Sequence, residues 1–116
     1  MLEKFGIGID IVDINRFRKM PFEENKMFYE KIFHKKEIDY CLQFKDPYPN
    51  FAGKFAVKEA VVKSINENEN LLNIITDHFN KKPTVSITEK KTFEFLVSIT
   101  HEKDYAVGVV ISEKSE

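Results

Sequence analysis

Asp10 stands inside an apolar run, Phe5-Gly6-Ile7-Gly8-Ile9-Asp10-Ile11-Val12. A carboxylate there must be solvated, hydrogen-bonded or bound to a cation, because burying it unpaired is costly. A half-exposed strand with Asp10 facing water also meets that demand. Glu59 is the second carboxylate of interest. Ala52, Ala56, Glu59 and Lys63 fall at i, i+4, i+7 and i+11, so on a helix they share a face whose other members are small. A solvated Glu-to-Lys pair has the same spacing and is worth only about 0.3–0.5 kcal/mol. Lys54 and Lys58, one turn apart beside that face, would form a basic ridge with Lys63. Such a ridge either grips phosphates as point charges or is simply solvated. Thr100-His101 closes an apolar stretch, where a histidine can bind an anion, carry a proton or merely be exposed. Two carboxylates from different elements, with lysines nearby, suit a hard cation. Mg²⁺ takes one or two carboxylates plus substrate phosphates. The residues therefore point to chemistry on a phosphate-bearing substrate.

The elements that must hold these groups follow from periodicity. Phe5, Ile7, Ile9 and Ile11 alternate with Gly6, Gly8, Asp10 and Val12, which predicts a strand with one greasy face and one small-residue face. Its two glycines leave room around Asp10. A short helix is expected from Ile14 to Met20, stopped by Pro21 and carrying Arg16 and Arg18, the only arginines. Phe28, Ile32 and Phe33 form a helical stripe, and a further helix is expected over about 35–44. There His34 stands at the N-cap and Glu37 is half of a capping box. The two prolines of Lys45-Asp46-Pro47-Tyr48-Pro49 predict a loop. Asn50 to about Ile65 carries the strongest helical periodicity. Asn66-Glu67-Asn68-Glu69-Asn70 reads as a solvated connection. Strands are expected at 71–75 and 83–87 around a turn near Asn80-Lys81-Lys82. A second hairpin is expected over 95–112, with His101-Glu102-Lys103-Asp104 at its tip.

Composition excludes several classes. The 116 residues suit one domain, 1–116, and 42% hydrophobic with 32% charged residues is a globular balance. Eighteen Lys+Arg against nineteen Asp+Glu argue against binding nucleic acid by overall charge. The Gly-rich phosphate-loop patterns are absent. Cys41 is the only cysteine, which leaves no internal disulfide and no cysteine metal cluster. His34, His78 and His101 lack zinc-ligand spacing. The opening residues carry an acid, and the apolar stretch breaks at Asp10. Neither a signal peptide nor a membrane span is expected, and a reducing cytoplasm is the default location.

Several segments together carry a more specific signal. Gly6-Ile7-Gly8-Ile9-Asp10-Ile11-Val12 resembles the opening motif of holo-[acyl-carrier-protein] synthases, a branch of the 4′-phosphopantetheinyl transferases. Ile32-Phe33-His34-Lys35-Lys36-Glu37 with Tyr40-Cys41 is similar to that family's Phe-Thr-x-x-Glu and Tyr-Cys segment. Phe51-Ala52-Gly53-Lys54-Phe55-Ala56-Val57-Lys58-Glu59-Ala60 resembles its signature helix, with Lys-Glu-Ala as hallmark. Val97-Ser98-Ile99-Thr100-His101, followed by Asp104-Tyr105-Ala106-Val107, resembles its closing Ser-x-[Ser/Thr]-His hairpin. The segments keep family order across nearly the whole chain.

The resemblance implies an α+β fold, an antiparallel sheet packed with one long helix and shorter helices. It implies transfer of 4′-phosphopantetheine from coenzyme A to a serine of apo acyl carrier protein, releasing adenosine 3′,5′-bisphosphate. On this reading Asp10 and Glu59 hold Mg²⁺, and Lys63 neutralises the coenzyme A pyrophosphate, giving Asp10, Glu59 and Lys63 as the catalytic set. Lys54 and Lys58 would lie along the nucleotide, Thr100 and His101 near its phosphates, and Arg16 against the acidic carrier. Short family members are typically homotrimers with sites between subunits. The chain departs from the pattern in four places: Asn66–Asn70 lacks the usual glycine, Lys54 replaces an arginine, Asn80-Lys81-Lys82-Pro83 replaces Asn-Gly-Lys-Pro, and His34 replaces the common Thr or Ser cap. Two acids in the first of these are unwelcome beside phosphates. They suit a rival reading, a catalytically degenerate relative that binds a carrier protein or nucleotide. A different Mg²⁺-dependent phosphate-transfer enzyme on the same scaffold is the third reading.

Overall fold

The computed structural model describes residues 2–115; Met1 and Glu116 lie outside the described residues. Strand β1 (Phe5–Asp13) leads into the short helix α1 (Ile14–Arg18), which begins where the Asp13 carboxylate accepts the Asn15 backbone N–H at 2.9 Å. After a 3₁₀ turn come α2 (Lys26–Glu30), α3 (Lys35–Leu42) and the long α4 (Tyr48–Ile65). Strands β2 (Ile74–Phe79) and β3 (Lys82–Ile87) form one hairpin; β4 (Phe93–Glu102) and β5 (Tyr105–Lys114) form the other. All pairings are antiparallel. β1, β5 and β4 make a three-stranded sheet with β5 in the centre, while β2 and β3 form a separate two-stranded sheet. This is an α+β fold.

Three boundaries differ from expectation for local reasons. α4 starts at Tyr48, two residues early, because Pro49 lies in its first turn, where a missing N–H costs nothing. Leu71–Asn73 is a 3₁₀ turn rather than strand, since Asn70 caps it by accepting the Leu72 N–H at 2.9 Å. The second hairpin turns on Lys103 and Asp104 alone, so His101 and Glu102 belong to β4. At the other hairpin Asn80 and Lys81 both adopt positive φ (50° and 68°), the geometry of a two-residue primed turn. Lys81 takes it without glycine's freedom.

α4 lies directly on the inner face of the large sheet, and glycine makes that approach possible. A Cβ on Gly8 would sit 1.9 Å from the Ala60 carbonyl oxygen, and one on Gly6 would sit 1.8 Å from that of Ser64. The small face of β1 is thus the buried one. The greasy face points outward: Ile7, Ile9, Ile11 and Leu96 are 71%, 59%, 63% and 72% exposed. Inside, Tyr29 is fully buried against Phe17, Phe22, Phe33 and Phe51, and its hydroxyl donates to the Met20 carbonyl at 2.8 Å. A second apolar group, including Val57, Val61, Ile74, Ile87 and Val110, fills the space between the far half of α4 and the strands. Cys41 is buried, and burial pushes its thiol up to about 12, so it acts as a core residue. No helix among the described residues is long and apolar enough to cross a membrane.

Candidate active site

Asp10 follows Gly8 on the inner face of β1, at the flank of α4, with its side chain 18% exposed. From α4 the Lys63 ammonium reaches it, 3.1 Å from the Asp10 carboxylate and 2.9 Å from the Ile9 carbonyl oxygen. Glu59 lies one turn earlier on the same helix face. Partial burial and the neighbouring Asp10 charge push the Glu59 carboxyl above its ordinary range, while Lys63 and Arg16 oppose that shift. Arg16 comes from α1 and stacks over Phe55, its guanidinium carbon 5.6 Å from the ring centre. The fold thus gathers Asp10, Glu59, Lys63 and Arg16 from three elements. Two carboxylates repel each other at one mouth, and the donors are oxygen only. That is an arrangement a hard cation relieves, so the residues fit Mg²⁺. Among the described residues no group of three or more His, Cys, Asp or Glu forms a self-sufficient metal cage. A cation held here would need further oxygens from substrate and water.

The expected basic ridge does not form. Lys58 is fully buried: its ammonium donates to the Glu37 carboxylate at 2.8 Å, the Ile32 carbonyl at 2.7 Å and the Leu71 carbonyl at 3.2 Å. All three ammonium protons are spent inside the core, so Lys58 presents nothing to a nucleotide in this structure. Glu37 also accepts the His34 and Thr76 backbone N–H groups, at 2.8 and 2.9 Å, and the Thr76 hydroxyl. Burial pushes the Glu37 carboxyl up, but Lys58 and these hydrogen bonds outweigh it and hold the group below the ordinary carboxylate range.

Lys54 is 5% exposed and donates to the Thr76 hydroxyl at 3.0 Å, with its ammonium 4.8 Å from the centre of the Tyr40 ring. It lines a cavity of about 200 Å³ whose walls include Tyr40, Thr76, His78 and His101. Five residues apart on α4, Lys54 and Glu59 face directions about 140° apart. The helix runs over Gly108 of β5, between the β1 flank with Asp10 and the β4 flank with His101. Thr100 and His101 alternate along β4 and so point to opposite faces. Within one chain, then, neither residue joins Asp10 and Glu59. Glu37 and Thr76 were missed as parts of this neighbourhood. Glu37 carried a signal as a helix cap and as the acid of the Phe-Thr-x-x-Glu-like segment, neither of which points to Lys58 or Thr76, and Thr76 carried none.

The acidic loop has a partner that its sequence did not suggest. Lys90, in the β3–β4 connection, lies 2.9 Å from Glu69 and 3.5 Å from Glu67. Lys90 and Glu69 border an open cavity that also touches Glu59.

Known proteins resemble this chain over most of its length. The profile of the 4′-phosphopantetheinyl transferase superfamily matches residues 6–110. The holo-[acyl-carrier-protein] synthase of Thermodesulfovibrio yellowstonii is 38% identical over 111 residues, covering 91% of this chain and 96% of that one. The Chlamydia caviae enzyme of the same name is 36% identical over 115 residues, covering 91% and 94%. Among solved structures, the Helicobacter pylori synthase in complex with coenzyme A superposes with a TM-score of 0.82 at 30% identity, over 92% of this chain and 99% of that one. The Bacillus anthracis synthase in complex with CoA (3′,5′-ADP) gives 0.81 at 32% identity, over 95% and 96%. With its motifs in order and its fold matched end to end, the chain belongs to the 4′-phosphopantetheinyl transferase superfamily and is an enzyme of its holo-[acyl-carrier-protein] synthase branch.

Proposed function

We propose that this enzyme transfers 4′-phosphopantetheine from coenzyme A to a serine of apo acyl carrier protein, with Mg²⁺, and releases adenosine 3′,5′-bisphosphate. The observation that carries the reading is the junction of Asp10, Glu59 and Lys63 at the open flank of α4. Asp10 and Glu59 hold the Mg²⁺, which when bound neutralises charge on the pyrophosphate. Lys63 adds a cation that Asp10 and the Ile9 carbonyl already orient, so little reorganisation is needed as charge builds on the leaving group. In the reaction the serine oxygen forms a bond to the pantetheine-side phosphorus. The phosphorus–oxygen bond to the nucleotide breaks, its electron pair leaves with adenosine 3′,5′-bisphosphate, and the hydroxyl proton passes to water at the open mouth. Arg16, exposed at the same mouth, offers a positive contact to an acidic carrier.

Lys54, Thr100 and His101 are assigned to coenzyme A, and their distance from Asp10 calls for a site shared between chains. The outward apolar face of β1, β4 and β5 supports this. An exposed patch built from Ile7, Ile9, Ile11 and Leu96 is unusual on a lone soluble chain. A homotrimer would cover it and bring one chain's β4 end toward a neighbour's Asp10. The whole is read as one domain, 1–116, working in the cytoplasm in fatty acid biosynthesis. Intact-mass measurement with coenzyme A, Mg²⁺ and apo acyl carrier proteins tests the reading. A phosphopantetheine-sized gain on the carrier is expected; no gain with several carriers would overturn it.

A further inference from the structure

The buried chain of polar groups beneath Lys54 has a direction that follows from donor and acceptor counts. The Thr76 hydroxyl has one proton. The Glu37 carboxylate beside it can only accept, and also accepts the Thr76 backbone N–H at 2.9 Å. The hydroxyl proton therefore goes to Glu37, and the Thr76 oxygen is left to accept from Lys54, 3.0 Å away. Glu37 in turn cannot rotate, because Lys58 and the His34 N–H hold its other oxygen at 2.8 Å each. One N–H of Lys54 is thus fixed, and the Tyr40 ring lies against the ammonium on another side. What remains of its donor capacity faces two adjoining cavities, of about 200 and 520 Å³, which share Tyr40, Lys54, Thr76, Asp77 and His78 as walls.

A lysine normally brings a flexible stem and loses rotamer freedom when it is fixed on a ligand. Here that cost is met during folding. The position held by Lys54 lacks the bidentate fork of an arginine, and rigid placement compensates for the lost geometry. We propose that Thr76 is a positioning residue for coenzyme A recognition: its hydroxyl, turned by Glu37, pins the Lys54 ammonium at the cavity wall. This rests on reading Lys54 as a coenzyme A contact.

The test compares Thr76→Val, which keeps shape and loses the hydroxyl, with Thr76→Ser, which keeps the hydroxyl. KM for coenzyme A is expected to rise roughly tenfold in Thr76→Val, with kcat unchanged, and to return toward normal in Thr76→Ser. Calorimetric Kd values for coenzyme A should show the same pattern. In a Lys54→Met background, Thr76→Val should have no further effect. An unchanged KM and Kd in Thr76→Val, or the same loss with Lys54 already removed, would overturn the proposal. Should the parent enzyme transfer nothing to any carrier, the proposed function fails, and the four calorimetric Kd values still decide the coupling between Thr76 and Lys54.

Discussion

Helix α4 carries two lysine–carboxylate pairs built from the same chemistry and set in opposite surroundings. Lys58 and Glu37 are sealed in the core, and every proton of the ammonium has an acceptor. Lys63 and Asp10 meet at the rim, with Lys63 half exposed and a second carboxylate, Glu59, crowding them. The sealed pair is satisfied and therefore inert. The open pair sits beside the extra negative charge of Glu59 and stays open to solvent. The two lysines stand five positions apart on the helix. On the proposed reading, what surrounds a pair, and not its charges, decides whether it supports the fold or the reaction.

The largest effect expected is on the sealed pair. Glu37→Ala leaves the Lys58 charge buried without its partner, which costs about 3–5 kcal/mol. Urea denaturation should show a markedly lower midpoint, and a midpoint like the parent's would break the comparison. The open pair should behave in reverse. Asp10→Asn removes half of a like-charge clash, so the urea midpoint should hold or rise while transfer falls by about 10²-fold or more. Loss of stability with activity retained would sink the assignment.

Acid sharpens the same contrast. Because folding depresses the Glu37 pKa, its stabilising contribution is fully present above the ordinary glutamate range. It is lost as pH falls through the lower, folded value. Stability measured against pH should therefore drop on the acid side in the parent and flatten there in Glu37→Gln.

Two smaller effects lie at the edges of the site. Lys90→Ala leaves Glu67 and Glu69 without their cation, Glu69 on the cavity that also touches Glu59, so KM for coenzyme A should rise about threefold at low salt. Adding Glu69→Gln should return it. Smallest of all, Lys81→Gly relieves a positive-φ lysine at the β2–β3 turn and should raise the urea midpoint by the equivalent of about 1 kcal/mol or less.

Much of the fold was legible because it is local. Period-two alternation located β1, and helical spacing located α4 to within two residues. The error at Tyr48 came from treating Pro49 as a breaker when it opens a helix. The glycines of β1 were read as space around Asp10; in the fold they are the floor on which α4 rests. Glu59 and Lys63 were legible as one helix face. The separation of Lys58 from Lys63 was not, because spacing along a helix says nothing of what lies opposite. The partners of Lys58 and Lys54, Glu37 and Thr76, come 21 and 22 residues away in sequence, on α3 and β2. Likewise, Glu67 and Glu69 argued against a phosphate site until the fold brought Lys90 to them.

The most direct test uses Glu59→Gln, a change at the open flank that leaves the sealed pair intact. Intact-mass transfer assays would follow an apo acyl carrier protein with coenzyme A, with Mg²⁺ added or chelated, using protein whose urea midpoint matches the parent's. The parent should load the carrier only when Mg²⁺ is present, and Glu59→Gln should fail to load it at any Mg²⁺ concentration at the parent's rate. Loading by Glu59→Gln at that rate, or by the parent in chelator, would contradict the account.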